Sequence, residues 1–497
     1  MLDAVEQNIR YRPPSAMRIP CGHRSPAFDA IRGEVRAMYL NVLTQCIPAP
    51  LFEGMWRHPE DQSALGYRSL DYWVNMAQQL ESACIDALFF ADIHGVYDVY
   101  QDSPAPSIQH SVQVPAIDPV LVIPAAAAAT RNLGFAVSYS TSYHAPYQCA
   151  RLFSSLDHLT GGRIGWNIVT SDLRLAVGTG LAEQCPHDER YDRADEYLDL
   201  VVRLWEDSWE AGAVRHDAAS DTFADPARVH RVDHAGRWYR MSAPHQCEPS
   251  PQRTPVLYQA GSSDRGLTFA ARHAELVFVA LSGFRQGRER VEDLRDRARR
   301  QGRDPEGLRI LQGMCLILGE DAAQARARAE EYERFSSRGG LTAKWCGWTG
   351  LDLASYPAEA PLSDLPAGQM RSVTDFLRQA GAGRELTVGD LREHVATPRR
   401  PNPHARLMLF GTPEQVADRM EMWLERTKID GFNLMPCPPT LGTRDLCELL
   451  VPELQRRGLA RKSYDTAERT LRERYFGSGV TRYVRAAENN GGNRHGG

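Results

Sequence analysis

The chain has 497 residues, 42% of them hydrophobic and 24% charged, with a formal net charge of −5. This is the make-up of a globular protein whose core needs no disulfide or structural metal, and its slight acidity gives no reason to expect a nucleic-acid partner. No apolar run approaches the ~20 residues a membrane span requires, and the N-terminus, with Arg10, Arg12, Pro13 and Pro14, has no apolar signal stretch. The ten cysteines form no CxxC pair and no zinc spacing, so reduced thiols in a cytoplasmic protein are expected.

Residues 1–36 are polar, rich in Pro and Arg and without periodicity, and read as an extension outside the core. The first strand is expected at 38–46 (MYLNVLTQC), ending on Gln45. A Pro/Gly-rich loop and a helix at 69–83 follow, then a short strand, 87–92 (ALFFAD), that ends on Asp92. A loop with His94 and Tyr97 leads to an Ala-rich helix at 118–131. The third strand, 133–141 (LGFAVSYST), ends in hydroxyls and includes Ser138; a helix at 146–158 precedes the fourth strand, 163–170, which carries Asn167.

A helix beginning near Asp188 has His187 and Tyr191 at its mouth and apolar residues at helical spacing through Trp205. Residues 213–253 form a polar excursion with a hairpin near HAGRWYRM. Strands at 254–263 (TPVLYQAGSS), 275–281 and 308–319 alternate with helices at 264–274, 287–301 and 321–335. Residues 336–405 read as a large insertion. A helix at 412–427 opens with an N-cap Thr and a Pro. The eighth strand, 431–437 (GFNLMPC), precedes a closing helix to about Arg457, and a flexible tail is expected over 476–497.

Eight short buried strands alternating with helices predict an α/β protein, a closed (β/α)8 TIM barrel spanning 37–475. Such a barrel keeps its site at the C-terminal ends of its strands. The turn QAGSSDRG, with Ser262 and Ser263 before a helix, has the small residues and exposed N–H groups that favour a phosphate. GTGLAE at 178–183 lacks the third Gly of a dinucleotide fingerprint and stands in no βαβ unit, so it is set aside. No Walker A sequence, HExxH or GxSxG elbow occurs, and no His/Asp/Glu cluster has metal spacing, so no metal is expected.

LFFAD at 88–92, SLDHLTGGRIGWNIVTS at 155–171, HDERYDRADEYLDLVVRLWEDSW at 187–209, PVLYQAGSSDRG at 255–266 and DGFNLMP at 430–436 stand in a consistent order. Together they resemble the bacterial luciferase-like flavin monooxygenases, in particular the group that contains nitrilotriacetate and dibenzothiophene-sulfone monooxygenases. The resemblance implies a barrel that takes reduced FMN from a separate NAD(P)H-dependent flavin reductase and uses O2 through a flavin C4a-peroxide on a small organic substrate. It also implies a homodimer or homotetramer.

By position, the resemblance implies that Asp92 and Ser138 lie near the flavin, that His187 and Tyr191 hold its phosphate region, and that Ser262, with Ser263 beside it, binds the phosphate. Asn167 is expected near the isoalloxazine, with His94 and Gln45 at the reacting face. A lid over the mouth is expected from 336–405, with Trp345 and Trp348. The sequence around Gln45-Cys46, ADIHGVYDVYQ and the 336–405 insertion is individual, so the substrate is not implied. Two other readings stay open: an F420-dependent oxidoreductase on the same barrel, and a non-catalytic flavin-binding barrel.

Overall fold

A computed structural model describes residues 37–170, 178–179, 186–366, 385–397 and 407–486. The 1–36 extension, the end of the tail, most of GTGLAE and part of the 336–405 insertion lie outside the described residues.

Eight parallel strands close into a barrel: β1 (Tyr39–Thr44), β2 (Ala87–Phe90), β3 (Gly134–Ser140), β4 (Ile164–Val169), β5 (Val256–Gln259), β6 (Leu276–Val279), β7 (Arg309–Leu318) and β8 (Gly431–Pro436). Each pairs with the next, and β8 returns to β1 with Asn41 opposite Asn433. All eight strands expected from the sequence are present. They were legible because a strand covered on both faces is apolar on both, which leaves a continuous hydrophobic run.

Alternation along the strands sorts the side chains. Leu40, Val42, Phe135, Val137, Ile164 and Trp166 point outward into the main core beneath the helices. Tyr39, Phe89, Ala136, Tyr258, Phe278 and Leu311 point inward and fill the lower barrel. Four helices shape the two ends of the barrel: α1 (His187–Asp207), α2 (Asp264–His273), α3 (Arg338–Thr349) and α4 (Leu471–Phe476).

α4 closes the barrel floor. Its Leu471 and Tyr475 join the inward cluster, and the Tyr475 hydroxyl donates to Asn41 Oδ1 at 2.8 Å. Its Arg472 is fully buried and salt-bridged to Glu275. Residues 477–486, assigned from the sequence to a flexible tail, still pack on the body: Arg485 pairs with Asp207 at 2.9 Å, and the Tyr483 hydroxyl donates to the His273 carbonyl.

Several local expectations shift. A ninth parallel strand, Leu407–Gly411, pairs with Met314–Leu318 of β7. β7 is ten residues long and its edge toward β6 is used only to Gln312, so the later half leaves an open edge for another strand. The helix expected at 118–131 is shorter, Ile123–Ala128, behind a 3-10 turn capped by Asp118. The polar excursion holds two hairpins, Val214–Asp217 with Thr222–Ala224 and Val232–Ala235 with Arg240–Ala243. The helix at Pro413–Thr427 has its N-cap Thr and Pro, and its capping box is completed by Gln415.

Over the strand C-termini lies a cap made of the loop after β1, the loop after β2 and the described part of the insertion. α3 is its backbone. Trp345 is wholly buried in a small core that the insertion's Leu353, Leu362, Val388 and Leu391 share with Val99 of the loop after β2. Trp348 instead packs toward Ile93, Tyr97 and Val112 of the loop after β2. Of the two tryptophans expected in a lid, Trp345 is buried in this small core and Trp348 faces the loop after β2. Lys344 and Glu53, each with 5% of its side chain exposed, form an ion pair that ties α3 to the loop after β1.

Candidate active site

The site is assembled at the C-terminal ends of the strands, in three neighbourhoods. The first is the barrel interior. Ser138 and Asn167 are in register on β3 and β4, and Asn167 Nδ2 donates to Ser138 Oγ at 2.9 Å. Asn167 Oδ1, Asn41 Nδ2 and Asn433 Oδ1 are buried and find no partner among the described residues. Gln45, one step beyond β1, donates through Nε2 to Gln113 Oε1 at 3.2 Å, and its own Oε1 is left unpartnered. A buried amide oxygen or nitrogen left without a bond costs about 1–3 kcal/mol. Four such atoms on the strands and strand ends that line one barrel indicate that a polar guest completes them.

The second neighbourhood lies where β2 and β3 end. The His94 ring stands 4.8 Å from that of Tyr143 and 5.6 Å from that of His144, and His144 stacks on Tyr139 at 3.9 Å. Burial pushes the His94 and His144 imidazoles below the ordinary histidine range, so both are neutral at pH 7. Asp92, at the strand end, is held up to about 7, first by burial and then by the nearby Asp118 carboxylate, against a bond from the Ile93 N–H.

Burial therefore favours the protonated Asp92 in the folded chain. The stability it contributes is full below the ordinary carboxylate range and is lost as pH rises to about 7. Asp92→Asn is expected to gain on the wild type in urea denaturation at pH 8 relative to pH 4, and to remove an inflection near pH 7 from the activity profile. A variant with the wild-type pH dependence in both would refute the assignment.

The third neighbourhood joins α1 and α2. Tyr191 is buried, and His187 stands edge-on to it with ring centres 5.4 Å apart. His187 itself is half-exposed and bonded to Asp188 at 2.7 Å. Ser263 caps α2 by accepting from the Gly266 N–H at 3.1 Å, and Ser262 is exposed beside it. A Cβ on Gly261 or on Gly266 would come within 2.7 Å of the Tyr191 hydroxyl, so both positions need glycine for that hydroxyl to reach the turn. The result is a helix N-terminus with N–H groups, two serine hydroxyls and a phenol close together, a ready seat for an anion. Asp195, one turn along α1 from Tyr191, accepts from Arg265 and His273 of α2 and locks the two helices together.

The nine candidate residues thus fall into groups: Ser138 with Asn167; Asp92 and His94; His187, Tyr191, Ser262 and Ser263. Gln45 is bound to Gln113 and bonds to none of the others. Asn41, Asn433, Tyr143 and His144 escaped the sequence reading. Tyr143 and His144 follow the hydroxyl-rich end of the third strand, which was the available signal; the two asparagines are ordinary polar interruptions of apolar runs.

The family model for luciferase-like monooxygenases matches residues 53–431. A long-chain alkane monooxygenase from Geobacillus thermodenitrificans is 40% identical over 445 residues, which cover 89% of this chain and 95% of that protein. A dimethyl-sulfide monooxygenase from Hyphomicrobium sulfonivorans is 40% identical over 427 residues, 86% of this chain and 87% of that protein. The crystal structure of a riboflavin lyase, solved with modified FMN and riboflavin, superimposes with a TM-score of 0.81 at 35% identity, covering 90% of this chain and 98% of that one. With the barrel closed as the strand pattern required, and with similarity running nearly end to end, the chain belongs to the luciferase-like monooxygenase family.

Proposed function

We propose that this protein is the oxygenase component of a two-component system, which takes reduced FMN from a separate NAD(P)H-dependent flavin reductase and directs O2 onto a small organic substrate. The observation that carries the reading is the pairing of an anion seat at the start of α2 with unpartnered amides inside the barrel. FMN has the matching halves, a dianionic phosphate and a flat ring edged with donors and acceptors. Reduced flavin, when bound, supplies the electrons that activate O2.

The chain's own residues bind, orient and keep water out. Ser262, Ser263, the Tyr191 hydroxyl and the α2 N–H groups hold the phosphate with charge-assisted bonds. Asn167, supported by Ser138, offers its amide oxygen to the ring. His94 stays neutral and so accepts or donates a proton at the reacting face, while Asp92 changes charge close to neutral pH. Gln45, fixed by Gln113, presents its carbonyl from the β1 side. The cap held by Lys344 and Glu53 excludes water, which otherwise diverts activated oxygen to H2O2. Dependence on a reductase implies a cytoplasmic enzyme, and the family implies a homo-oligomer. Monooxygenase relatives at 40% identity weigh against the F420 and non-catalytic alternatives.

Anaerobic titration with photoreduced FMN tests the reading. Each charged hydrogen bond contributes roughly 1.5–3 kcal/mol, so Ser262→Ala and Tyr191→Phe are expected to weaken binding about tenfold or more. Wild-type affinity in both variants would reject the site. Admission of 18O-labelled O2 to the loaded protein and a substrate is expected to give labelled product.

A further inference from the structure

Two amides meet on the β1 side of the barrel mouth. Gln45 continues the inward series Tyr39, Asn41 and Leu43 by alternation, and the ladder to β2 runs on through the bond from the Ala91 N–H to the Thr44 carbonyl. Gln113 reaches it from the loop after β2. Three bonds pin that loop: the Ile117 N–H donates to the Cys46 carbonyl at 3.1 Å, the Val112 N–H to the Ser107 carbonyl at 2.8 Å, and the Ser111 hydroxyl to the Val114 carbonyl at 2.9 Å. Val112 is buried in a cluster with Tyr97, Ala343 and Trp348. Ser111 and Gln113 stand in the left-handed region, at φ 55° and 57°, a cost that non-glycine residues bear where their surroundings dictate it.

Gln45 is 5% exposed and Gln113 8%, so each amide needs its bonds met inside the protein. Each meets one through the other: Gln45 Nε2 donates to Gln113 Oε1 at 3.2 Å. Gln45 Oε1 is left without a partner, and Gln113 Nε2 has none among the described residues. A bonded amide pair thus leaves one acceptor beside one donor, and turning both amides end for end leaves the same complement. That edge matches a planar group with an N–H next to a carbonyl. An anion would satisfy only the donor, and a hydrocarbon neither.

The anion seat at the start of α2 follows β5, which stands four strands from β1 in either direction around the barrel. An FMN anchored there by its phosphate carries its ring from the β5 side across the mouth toward the two glutamines. Of the ends of that ring, only the pyrimidine has an N–H between carbonyls; the other is a dimethylbenzene. We propose that the Gln45–Gln113 pair binds the pyrimidine edge of the flavin and so sets which end of the ring faces β1. Gln45 Oε1 accepts from the flavin N3–H, and Gln113 Nε2 donates to the neighbouring flavin carbonyl. The inference rests on the flavin reading of the site and deepens it by adding Gln113 and orienting the ring.

The test is anaerobic titration of the whole protein with photoreduced FMN and with photoreduced N3-methyl-FMN, whose methyl group replaces the N–H. Wild type is expected to bind the methylated flavin at least about tenfold more weakly, the equivalent of about 1.4 kcal/mol. Gln45→Met removes the acceptor, and should bind FMN more weakly and the two flavins about equally. Gln113→Glu keeps the shape and the bond from Gln45 but turns an oxygen toward the flavin carbonyl. It should weaken both flavins about tenfold while the ratio between them stays. A purely structural role for the pair would lower affinity in Gln45→Met without changing that ratio. Equal binding of the two flavins by wild type would overturn the proposal, as would a preference that survives in Gln45→Met. Should Gln45→Met fail to fold, the near-isosteric Gln113→Glu decides, and wild-type affinity for FMN in it overturns the proposal. Reduced FMN that binds and depends on Ser262 and Tyr191 but ignores both glutamines rejects this proposal alone. Failure of reduced FMN to bind at all withdraws the flavin reading and this proposal with it.

Discussion

Arg472→Met is expected to destabilise the protein by about 3–5 kcal/mol, the cost of leaving a buried partner charge uncompensated. Arg472 is wholly buried at the barrel floor. Its Nε donates to Glu275 Oε1 at 2.7 Å and its Nη2 to Glu275 Oε2 at 3.0 Å. Nη2 also donates to the Thr254 and Pro255 carbonyls, and Nη1 to those of Gln252 and Thr481. Burial alone would lower this guanidinium's pKa, but Glu275 more than offsets it and holds it above its ordinary range.

One side chain therefore satisfies the chain entering β5, the carboxylate before β6 and the C-terminal segment. Methionine fills much of the volume and none of those bonds. Urea denaturation at neutral pH should show the midpoint falling sharply. The double variant Arg472→Met with Glu275→Leu should recover part of the loss, because removing both charges leaves only neutral backbone groups unpaired, the carbonyls and the Leu257 N–H that donates to Glu275 Oε2. An unchanged midpoint in the single variant would show that the floor is not a stability determinant.

Lys344→Met is expected to have the largest effect on the reaction itself. Lys344 and Glu53 hold α3 against the loop after β1 from positions 291 residues apart in the chain. Removing the ammonium leaves Glu53 buried without its counter-charge, again a penalty of about 3–5 kcal/mol, and the cap relieves it by letting water in. The expected result is faster proteolysis within 336–366, together with a fall in labelled product per H2O2 formed. Reduced-FMN affinity should change little, because the anion seat at α2 is built from other elements. Glu53→Gln, which keeps a hydrogen-bond acceptor for Lys344, should uncouple less than Glu53→Ala. An intact product-to-peroxide ratio in Lys344→Met would show that the ion pair does not hold the mouth closed.

The sequence by itself determined the barrel. Each of β1 to β8 is buried on both faces, so each appears as a mostly apolar run, several of them ending in polar residues, and eight such runs alternating with helices admit few folds. The same logic marked Asp92 and the hydroxyl-rich end of β3 as candidates, since polar residues at the end of a parallel strand point to the functional face, whereas the roles expected of Ser138 and Asn167 came from the family resemblance. Ser262, Ser263 and Tyr191 were legible from a Gly/Ser turn opening one helix and an aromatic residue at the mouth of another.

The strand Leu407–Gly411 was not legible, because it lies outside the barrel with alternate residues exposed and borders an insertion. Only the tertiary structure decided which polar residues share a cavity. Closure of the barrel pairs the first strand with the last and so sets Asn41 beside Asn433, while α4 returns from the far end of the chain to put Tyr475 beneath them. His94 meets His144 only because β2 and β3 are neighbours, and Lys344 meets Glu53 only because the insertion folds back over the mouth. Local pattern records burial and period, whereas contacts between distant residues depend on barrel closure and packing, which no window of sequence contains.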